Sequence, residues 1–169
     1  LDVVVCANLP YYITSPLIMK LLEERLRIKS VTVMVQKEAA QRLCAKIGER
    51  ESSAITVAVN YYSKPKTLFN VSRGSFAPSP NVDSAVIRLD VFDEKKYDVE
   101  DEALFFRIVR SSFSQRRKQL VNPLSTELKI SKDILAEKLL NCGIKATARP
   151  EELKMEDFVA LYKQVKKIL

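Results

Sequence analysis

The sequence contains no histidine among its 169 residues, and it has only three glycines and three cysteines. Because histidine is absent, this chain alone cannot form a Ser-His-Asp or Cys-His nucleophile, which excludes many classes of hydrolase. The cysteines, Cys6, Cys44 and Cys142, form neither a Cys-x-x-Cys pair nor a spacing typical of disulfide scaffolds. We therefore predict reduced thiols in the core and no metal site.

Long apolar runs and a secretion signal are also missing. No stretch approaches the roughly 18 apolar residues of a membrane span, and no basic segment precedes an apolar core at the N-terminus. We therefore predict a soluble, cytoplasmic protein with no membrane partner. The sequence begins inside a strand-like run and without methionine, so we expect a fragment whose preceding portion is missing.

Positive charge is in excess, since 28 lysines and arginines against 21 acidic residues give a net charge of +7. This balance is compatible with a polyanionic partner where the cations cluster. Residues 103–126 contain no acidic side chain, and their cations are Arg107, Arg110, Arg116, Arg117 and Lys118. The spacing of Arg107, Arg110 and Arg117 predicts one face of a helix, and its unmixed sign favours RNA phosphates over simple solvation. Pairing with acidic residues of later helices is the alternative.

In the first half of the chain, apolar patterns alternate between strand and helix periods. Continuous apolar, β-branched runs predict a parallel strand buried on both faces over residues 1–7 and a second strand over residues 30–36. Between them, Ser15 and Pro16 predict the N-cap and the first residue of a helix. A second helix is predicted over residues 37–46. This β-α-β-α order is typical of an α/β sheet.

The chain changes character after two further predicted strands, residues 66–71 and 84–91. Residues 55–62 fit a strand or a buried helix equally well by periodicity. A charged stretch near residue 95 predicts a domain boundary, which divides the chain into residues 1–92 and 98–169. Only helices are predicted beyond it, over residues 99–121 with Asp98 as N-cap, 132–141 and 156–168.

The turn Asn8-Leu9-Pro10-Tyr11 follows the first predicted strand. In a doubly wound sheet, ligands bind outside the carboxyl ends of the strands, so this turn is a candidate site. An exocyclic amine such as adenine N6 is a poor nucleophile because its lone pair is delocalised into the ring. An amide oxygen and a backbone carbonyl that accept its two N–H groups free that lone pair, while an aromatic ring can stack on the base. The turn therefore predicts chemistry that depends on positioning rather than on a strong base.

Three segments, taken in order, resemble motifs of the ribosomal RNA adenine dimethyltransferases of the KsgA/RsmA family. They are the turn at residues 8–11, SFAPSPNVDSAV at residues 75–86 and FSQRRK at residues 113–118. The resemblance implies the C-terminal half of a doubly wound, Rossmann-like methyltransferase sheet, followed by a small all-helical RNA-binding domain. It also implies transfer of methyl groups from S-adenosylmethionine to adjacent adenines of small-subunit ribosomal RNA during ribosome assembly.

The resemblance implies roles for individual residues as well. Asn8 and the carbonyls of Leu9 and Pro10 would receive the target amine, and Asn8 would also contact the cofactor. Tyr11 and Phe76 would enclose the flipped adenine, although a phenylalanine more often fills a core. The five cations between residues 107 and 118 would contact the RNA.

The sequence departs from the family pattern in two places. Its three glycines form no Gly-x-Gly, so the family's cofactor loop is not in this chain, and we predict that the chain alone is inactive. Ser52 and Ser53 stand where relatives usually have Tyr-Gly. This second departure affects a local loop contact next to residues 53–62, which the family implies are helical.

Two other interpretations stay open. The first is a large-subunit ribosomal RNA methyltransferase of the antibiotic-resistance type, which shares the turn at residues 8–11. Residues 82–86 and 113–118 favour the ribosome-assembly enzyme instead. The second is a non-catalytic RNA-binding fragment, which a true absence of Gly-x-Gly ahead of Leu1 would support.

Overall fold

The computed structural model describes residues 2–169. These residues form two compact units. Residues 2–45 and Ala58–Lys96 form the first, which we call the sheet unit. Lys46–Val57 and Tyr97–Leu169 form the second, which we call the helical unit.

The sheet unit is built on four strands, β1 (Val3–Asn8), β2 (Ile28–Gln36), β3 (Ser63–Val71) and β4 (Ser84–Val91). Their order across the sheet is β1-β2-β4-β3, with β1 parallel to β2 and β4 antiparallel to both of its neighbours. Helix α1 (Tyr11–Glu23) connects β1 to β2, and helix α2 (Lys37–Leu43) follows β2. The predicted strands are confirmed, and β4 has the predicted bounds.

Strand β1 lies at one edge of the sheet and is more exposed than the sequence predicts. Val3 and Val4 are 45% and 64% exposed, so the prediction of a strand buried on both faces is wrong. Among the described strands β1 pairs with β2 alone, whereas β2 and β4 have neighbours on both sides and bury Val31 and Ile87 completely. Leu1, which was included in the predicted strand, lies outside the described residues.

Helix α1 begins at Tyr11, so the predicted N-cap at Ser15 is wrong. The carbonyl oxygen of Pro10 accepts a hydrogen bond from the hydroxyl of Thr14 at 3.0 Å, inside the first helical turn. Pro16 consequently falls within the helix rather than at its first position. The early start places Tyr11 directly at the junction between strand and helix.

The next two helices also differ from simple expectation. Helix α2 ends at Leu43, three residues before the predicted end at residue 46. Helix α3 (Ala54–Tyr62) settles the ambiguity at residues 55–62, as the family resemblance implies. Thr56, Val57 and Val59 are all buried. A helix that is buried around its whole circumference shows no amphipathic stripe, which is why periodicity could not identify it.

The helical unit contains α4 (Glu102–Ser114), α5 (Val121–Leu128), α6 (Lys132–Asn141) and α7 (Met155–Lys166). Helix α6 has the predicted bounds, and the Ser131 hydroxyl caps it by accepting the backbone N–H of Ile134 at 3.3 Å. The core of this unit combines aliphatic side chains with aromatic rings, among which Phe105 and Phe158 are fully buried. The predicted domain division at residues 92 to 98 remains a prediction, because the structure also groups Lys46–Val57 with the helical unit.

The single long helix predicted over residues 99–121 is wrong. Helix α4 starts later, where the Asp101 carboxylate accepts the backbone N–H of Leu104 at 2.9 Å, so Asp98 is not the cap. It ends at Ser114, and Gln115 leaves helical geometry with φ −135° and ψ 67°. A turn therefore separates α4 from α5 where the sequence predicted continuous helix.

The three cysteines are less buried than the sequence predicts. All three cysteines are free thiols, but Cys6 is exposed and the other two are half-buried, so their predicted place in the core is wrong. Burial raises the pKa of the Cys44 thiol above its ordinary value.

Within residues 2–169, the helices are too short or too polar to cross a membrane.

Candidate active site

Strand register places Asn8 at the end of the sheet where the parallel strands terminate. Asn8 is the last residue of β1, its side chain is exposed, and it pairs with Met34 of β2. Because β1 and β2 are parallel, their carboxyl ends meet at the same edge, which we call the carboxyl edge. Ligands of open α/β sheets bind at this kind of edge. Asn8 therefore lies at the kind of position where such sheets bind ligands.

The two backbone carbonyls proposed as amine acceptors are not equivalent. The Pro10 carbonyl oxygen accepts the backbone N–H of Ile13 at 3.2 Å and the Thr14 hydroxyl at 3.0 Å. A carbonyl oxygen has two lone pairs, so both are in use at the start of α1. The Leu9 carbonyl is consequently the better candidate to act together with the Asn8 amide.

The Tyr11 side chain is held across the sheet by a residue far away in sequence. Its hydroxyl lies 2.5 Å from the hydroxyl of Ser84, the fully buried first residue of β4. The ring is half-buried beside the turn. The helix backbone holds Tyr11 at one end and the hydroxyl bond holds its ring at the other. The side chain therefore loses little further conformational freedom when a base stacks on it, which favours binding.

Phe76 lies in the loop that joins β3 to β4 at the carboxyl edge. The register pairs Val71 with Ser84, so this loop leaves and re-enters the sheet there. Phe76 itself is half-buried, which fits neither a complete core plug nor a free surface residue. The structure thus brings Asn8, Tyr11 and the loop of Phe76 to one edge of one sheet.

Sequence reasoning missed the environment of Tyr12. Tyr61 and Tyr62, the other adjacent pair of tyrosines in the chain, are both buried. Tyr12 is instead 83% exposed on the first turn of α1. The misplaced helix start hid this, because a correct start would have put Tyr11 and Tyr12 on different faces of α1.

The cations predicted to contact RNA divide into two groups. Arg107 donates from Nε to the Glu127 carboxylate at 3.0 Å and from Nη2 to the Glu127 carbonyl at 2.6 Å. Arg116 donates from Nη2 to the Arg50 carbonyl at 2.8 Å. Arg107 therefore has an acidic partner on a later helix, as the alternative predicts, whereas Arg116 bonds to a backbone carbonyl.

The other three cations have exposed side chains. Within residues 2–169, no acidic group forms an ion pair with Arg110, Arg117 or Lys118. Arg117 and Lys118 follow the end of α4 at Ser114, so the predicted helical face shared by Arg107, Arg110 and Arg117 is wrong. Arg110 lies on α4, whereas Arg117 and Lys118 lie in the turn that follows it.

A shallow cavity of about 300 Å³ adjoins Asn8 on the sheet. Its lining carries no formal charge and comprises Cys6, Ala7, Asn8, Thr32, Val33, Met34 and Val86. An apolar surface with one amide at its rim fits contact with an uncharged part of a cofactor through Asn8. Within residues 2–169, no cluster of histidine, cysteine and acidic side chains could hold a metal ion.

Two solved structures share the fold, and their titles name a dimethyladenosine transferase and an rRNA methyltransferase. A dimethyladenosine transferase from Plasmodium falciparum is 29% identical with a TM-score of 0.82, over 98% of this chain and 67% of that chain. The 23S rRNA methyltransferase ErmE is similar at a TM-score of 0.70 and 22% identity, over 98% of this chain and 66% of that chain, which shows the fold alone. The predicted α/β methyltransferase fold class is confirmed.

Curated relatives are more similar in sequence. "Ribosomal RNA small subunit methyltransferase A" of Alkaliphilus oremlandii is 47% identical over 99% of this chain, and its namesake in a Geobacillus species is 46% identical over 99%. The chain spans 59% of the length of each. The family described as ribosomal RNA adenine dimethylase matches residues 2–167, which include the turn at Asn8, the Phe76 loop and FSQRRK. The resemblance drawn from those motifs is thus confirmed, and the chain belongs to the ribosomal RNA adenine dimethylase family.

Proposed function

We propose that this chain forms the adenine-binding part of an enzyme that methylates adenine N6 in small-subunit ribosomal RNA. The observation that carries the proposal is the turn at the carboxyl edge, where the Asn8 amide and the Leu9 carbonyl follow a parallel strand. The names of the curated relatives support the small subunit as the source of the RNA. The immature small ribosomal subunit in the cytoplasm is then the partner.

The turn acts on the amine by hydrogen bonding. Adenine N6 carries two N–H groups, and the Asn8 side-chain oxygen and the Leu9 carbonyl oxygen each accept one. Two acceptors placed in this way favour a pyramidal nitrogen, whose lone pair is no longer delocalised into the ring. When it is bound, S-adenosylmethionine supplies an electrophilic methyl group on sulfur. The protein's contribution is alignment of the amine, which accounts for most of the catalysis in a direct displacement.

Tyr11 and Phe76 hold the base. An adenine that has left its stack needs new partners for its two faces, and aromatic rings supply them. The hydrogen bond between the Tyr11 and Ser84 hydroxyls keeps the Tyr11 ring beside the turn. Phe76 then closes the opposite face of the base from the β3–β4 loop.

RNA outside the base is held by cations. Arg110, Arg117 and Lys118 have exposed side chains with no acidic partner in residues 2–169, so they are the proposed phosphate contacts of the helical unit. Arg107 and Arg116 have protein partners and stabilise the helical unit instead. Phosphate contacts position the RNA without reading its sequence.

Nucleoside mass spectrometry tests the proposed function. The complete protein is incubated with S-adenosylmethionine and with unmodified small or large ribosomal subunits in parallel. We expect N6,N6-dimethyladenosine to appear in the small-subunit RNA, at two adjacent positions, and not in the large-subunit RNA. Dimethylation of the large-subunit RNA alone would support the antibiotic-resistance type, and no methylation of either RNA would contradict the proposal.

A further inference from the structure

A second cavity lies at the same carboxyl edge as Asn8 and has no role in the function described above. Its volume is about 530 Å³, enough for a nucleotide. Helix α2 and the β3–β4 loop form its walls, with Lys37, Glu38, Gln41, Arg73, Asn81, Val82 and Asp83 as its lining. We call it the α2 cleft.

The α2 cleft is close to the adenine site along the sheet. Lys37 follows β2 directly, and its backbone N–H donates to the carbonyl of Asp83 at 3.0 Å. Asp83 precedes Ser84, which holds the Tyr11 hydroxyl. Lys37 lies three residues beyond Met34, so their Cα atoms are at most about 11 Å apart, and Met34 pairs with Asn8 about 5 Å away on the next strand. An RNA strand that places a base at Asn8 therefore has its neighbouring nucleotides within reach of the cleft.

The charges in the α2 cleft leave two cations for a ligand. Within residues 2–169, no carboxylate pairs with the side chains of Lys37 and Arg73. The two acidic side chains of the cleft are already engaged. The Glu38 carboxylate lies 2.5 Å from Nη2 of Arg42, and the Asp83 carboxylate accepts the backbone N–H of Arg73 at 2.9 Å. The bond to a backbone N–H does not cancel the charge of Asp83, but with Arg42 included three cations stand against two carboxylates, which leaves a small net positive charge for an anion.

The loop that carries Arg73 is held in place by its own hydrogen bonds. The Ser79 hydroxyl donates to the Arg73 carbonyl at 2.8 Å, and Asp83 fixes the Arg73 backbone N–H. One guanidinium nitrogen of Arg73 donates to the Asn81 carbonyl at 3.4 Å. A guanidinium has five N–H donors, so this single bond orients the group and leaves donors for a phosphate.

We propose that Lys37 and Arg73 bind the RNA backbone phosphates next to the target adenine. This inference rests on the proposed function and adds two positioning residues to it. They hold the strand in the α2 cleft while the flipped base occupies the turn at Asn8. Their contribution is to RNA binding and not to activation of the amine, so the two roles can be separated by kinetics.

The test uses the complete protein with Lys37→Gln and Arg73→Gln, singly and together. The matched control is Lys64→Gln, because Lys64 is an exposed lysine at the opposite end of the same sheet. RNA affinity is measured at several salt concentrations, together with KM and kcat for methyl transfer and with melting curves. Lys37→Gln removes no side-chain hydrogen bond or ion pair found within residues 2–169, so its thermal midpoint should not change. If the double variant has a lower thermal midpoint, this single variant still decides whether the cleft binds RNA.

We expect the double variant to raise KM for RNA about tenfold, because two solvent-exposed ionic contacts with phosphate are lost, with little change in kcat. The salt dependence of binding should fall by about 1.5 ions, and Lys64→Gln should match the wild type. Wild-type KM and an unchanged salt slope in the double variant, with normal methylation, would overturn this inference alone. Absence of methylation by the wild type would contradict the proposed function instead, while the salt slopes would still decide whether the cleft binds RNA.

Discussion

The sheet unit and the helical unit present their functional groups in different ways. In the sheet unit, register joins residues far apart in sequence, as when the Tyr11 hydroxyl meets Ser84 across 73 positions. In the helical unit, cations that are neighbours in sequence are separated, because α4 ends at Ser114 and Arg107 pairs with Glu127. Strand register therefore fixes where a residue at the end of a strand lies, whereas cations on an expected helix share a face only if the helix continues.

The largest expected effect is on the stability of the helical unit. Phe105→Ala should lower the free energy of unfolding by about 3–5 kcal/mol, because this ring is fully buried and its loss leaves a cavity. The control is Phe69→Ala in the sheet unit, where the ring is 57% exposed and the cost should stay within about 0.5 kcal/mol. Denaturant unfolding measures both. Equal costs would show that the helical core is not organised around Phe105.

A smaller effect concerns the bond that fixes the Tyr11 ring. A double-mutant cycle with Tyr11→Phe and Ser84→Ala should give a coupling of about 1 kcal/mol, since either single change strands a half-buried or buried hydroxyl. Unfolding experiments on the complete protein supply the four values. Strict additivity of the two substitutions would mean that the hydroxyls do not interact in solution.

The smallest effects separate the two kinds of arginine. Arg107→Gln breaks an exposed ion pair with Glu127, so it should cost at most about 1 kcal/mol of stability and leave the salt dependence of RNA binding unchanged. Arg110→Gln should leave stability unchanged and reduce that salt dependence by about one ion. Melting curves and salt titrations of RNA affinity distinguish them. The reverse pattern would show that Arg107 contacts RNA and that Arg110 does not.

Local signals predicted much of the fold. Helix α6 has its expected bounds because Ser131 supplies a strong N-cap, and β4 has its expected bounds because a proline-rich loop and a charged stretch enclose it. Helix α1 begins earlier than expected, and the Thr14 hydroxyl bonds to the Pro10 carbonyl in its first turn. In the sequence, Ser15 and Pro16 form a stronger helix-start signal four residues later, which misplaced the predicted start. The end of α4 had no glycine or proline to mark it.

The candidate site was predicted by motif but not in detail. The motifs nominate Asn8, Tyr11 and Phe76 as candidates, yet they could not show which carbonyl is available. That depends on where α1 starts, because the helix start uses both lone pairs of the Pro10 oxygen and leaves the Leu9 oxygen. The α2 cleft was missed for a similar reason, since Lys37 and Arg73 line one cleft only after β2, β3 and β4 are paired.

The central claim is that the Asn8 amide acts on the reacting amine rather than on RNA binding. Its most direct test is the single-turnover rate of methyl transfer by the complete protein with Asn8→Ala, measured beside RNA affinity. Asn141→Ala is the matched control, because Asn141 is an exposed asparagine at the end of α6 in the helical unit. We predict a rate about 100- to 1000-fold lower, as for loss of one preorganised transition-state contact, with unchanged RNA affinity and a normal control. A rate that falls only as far as RNA affinity falls, or does not fall at all, would contradict the account.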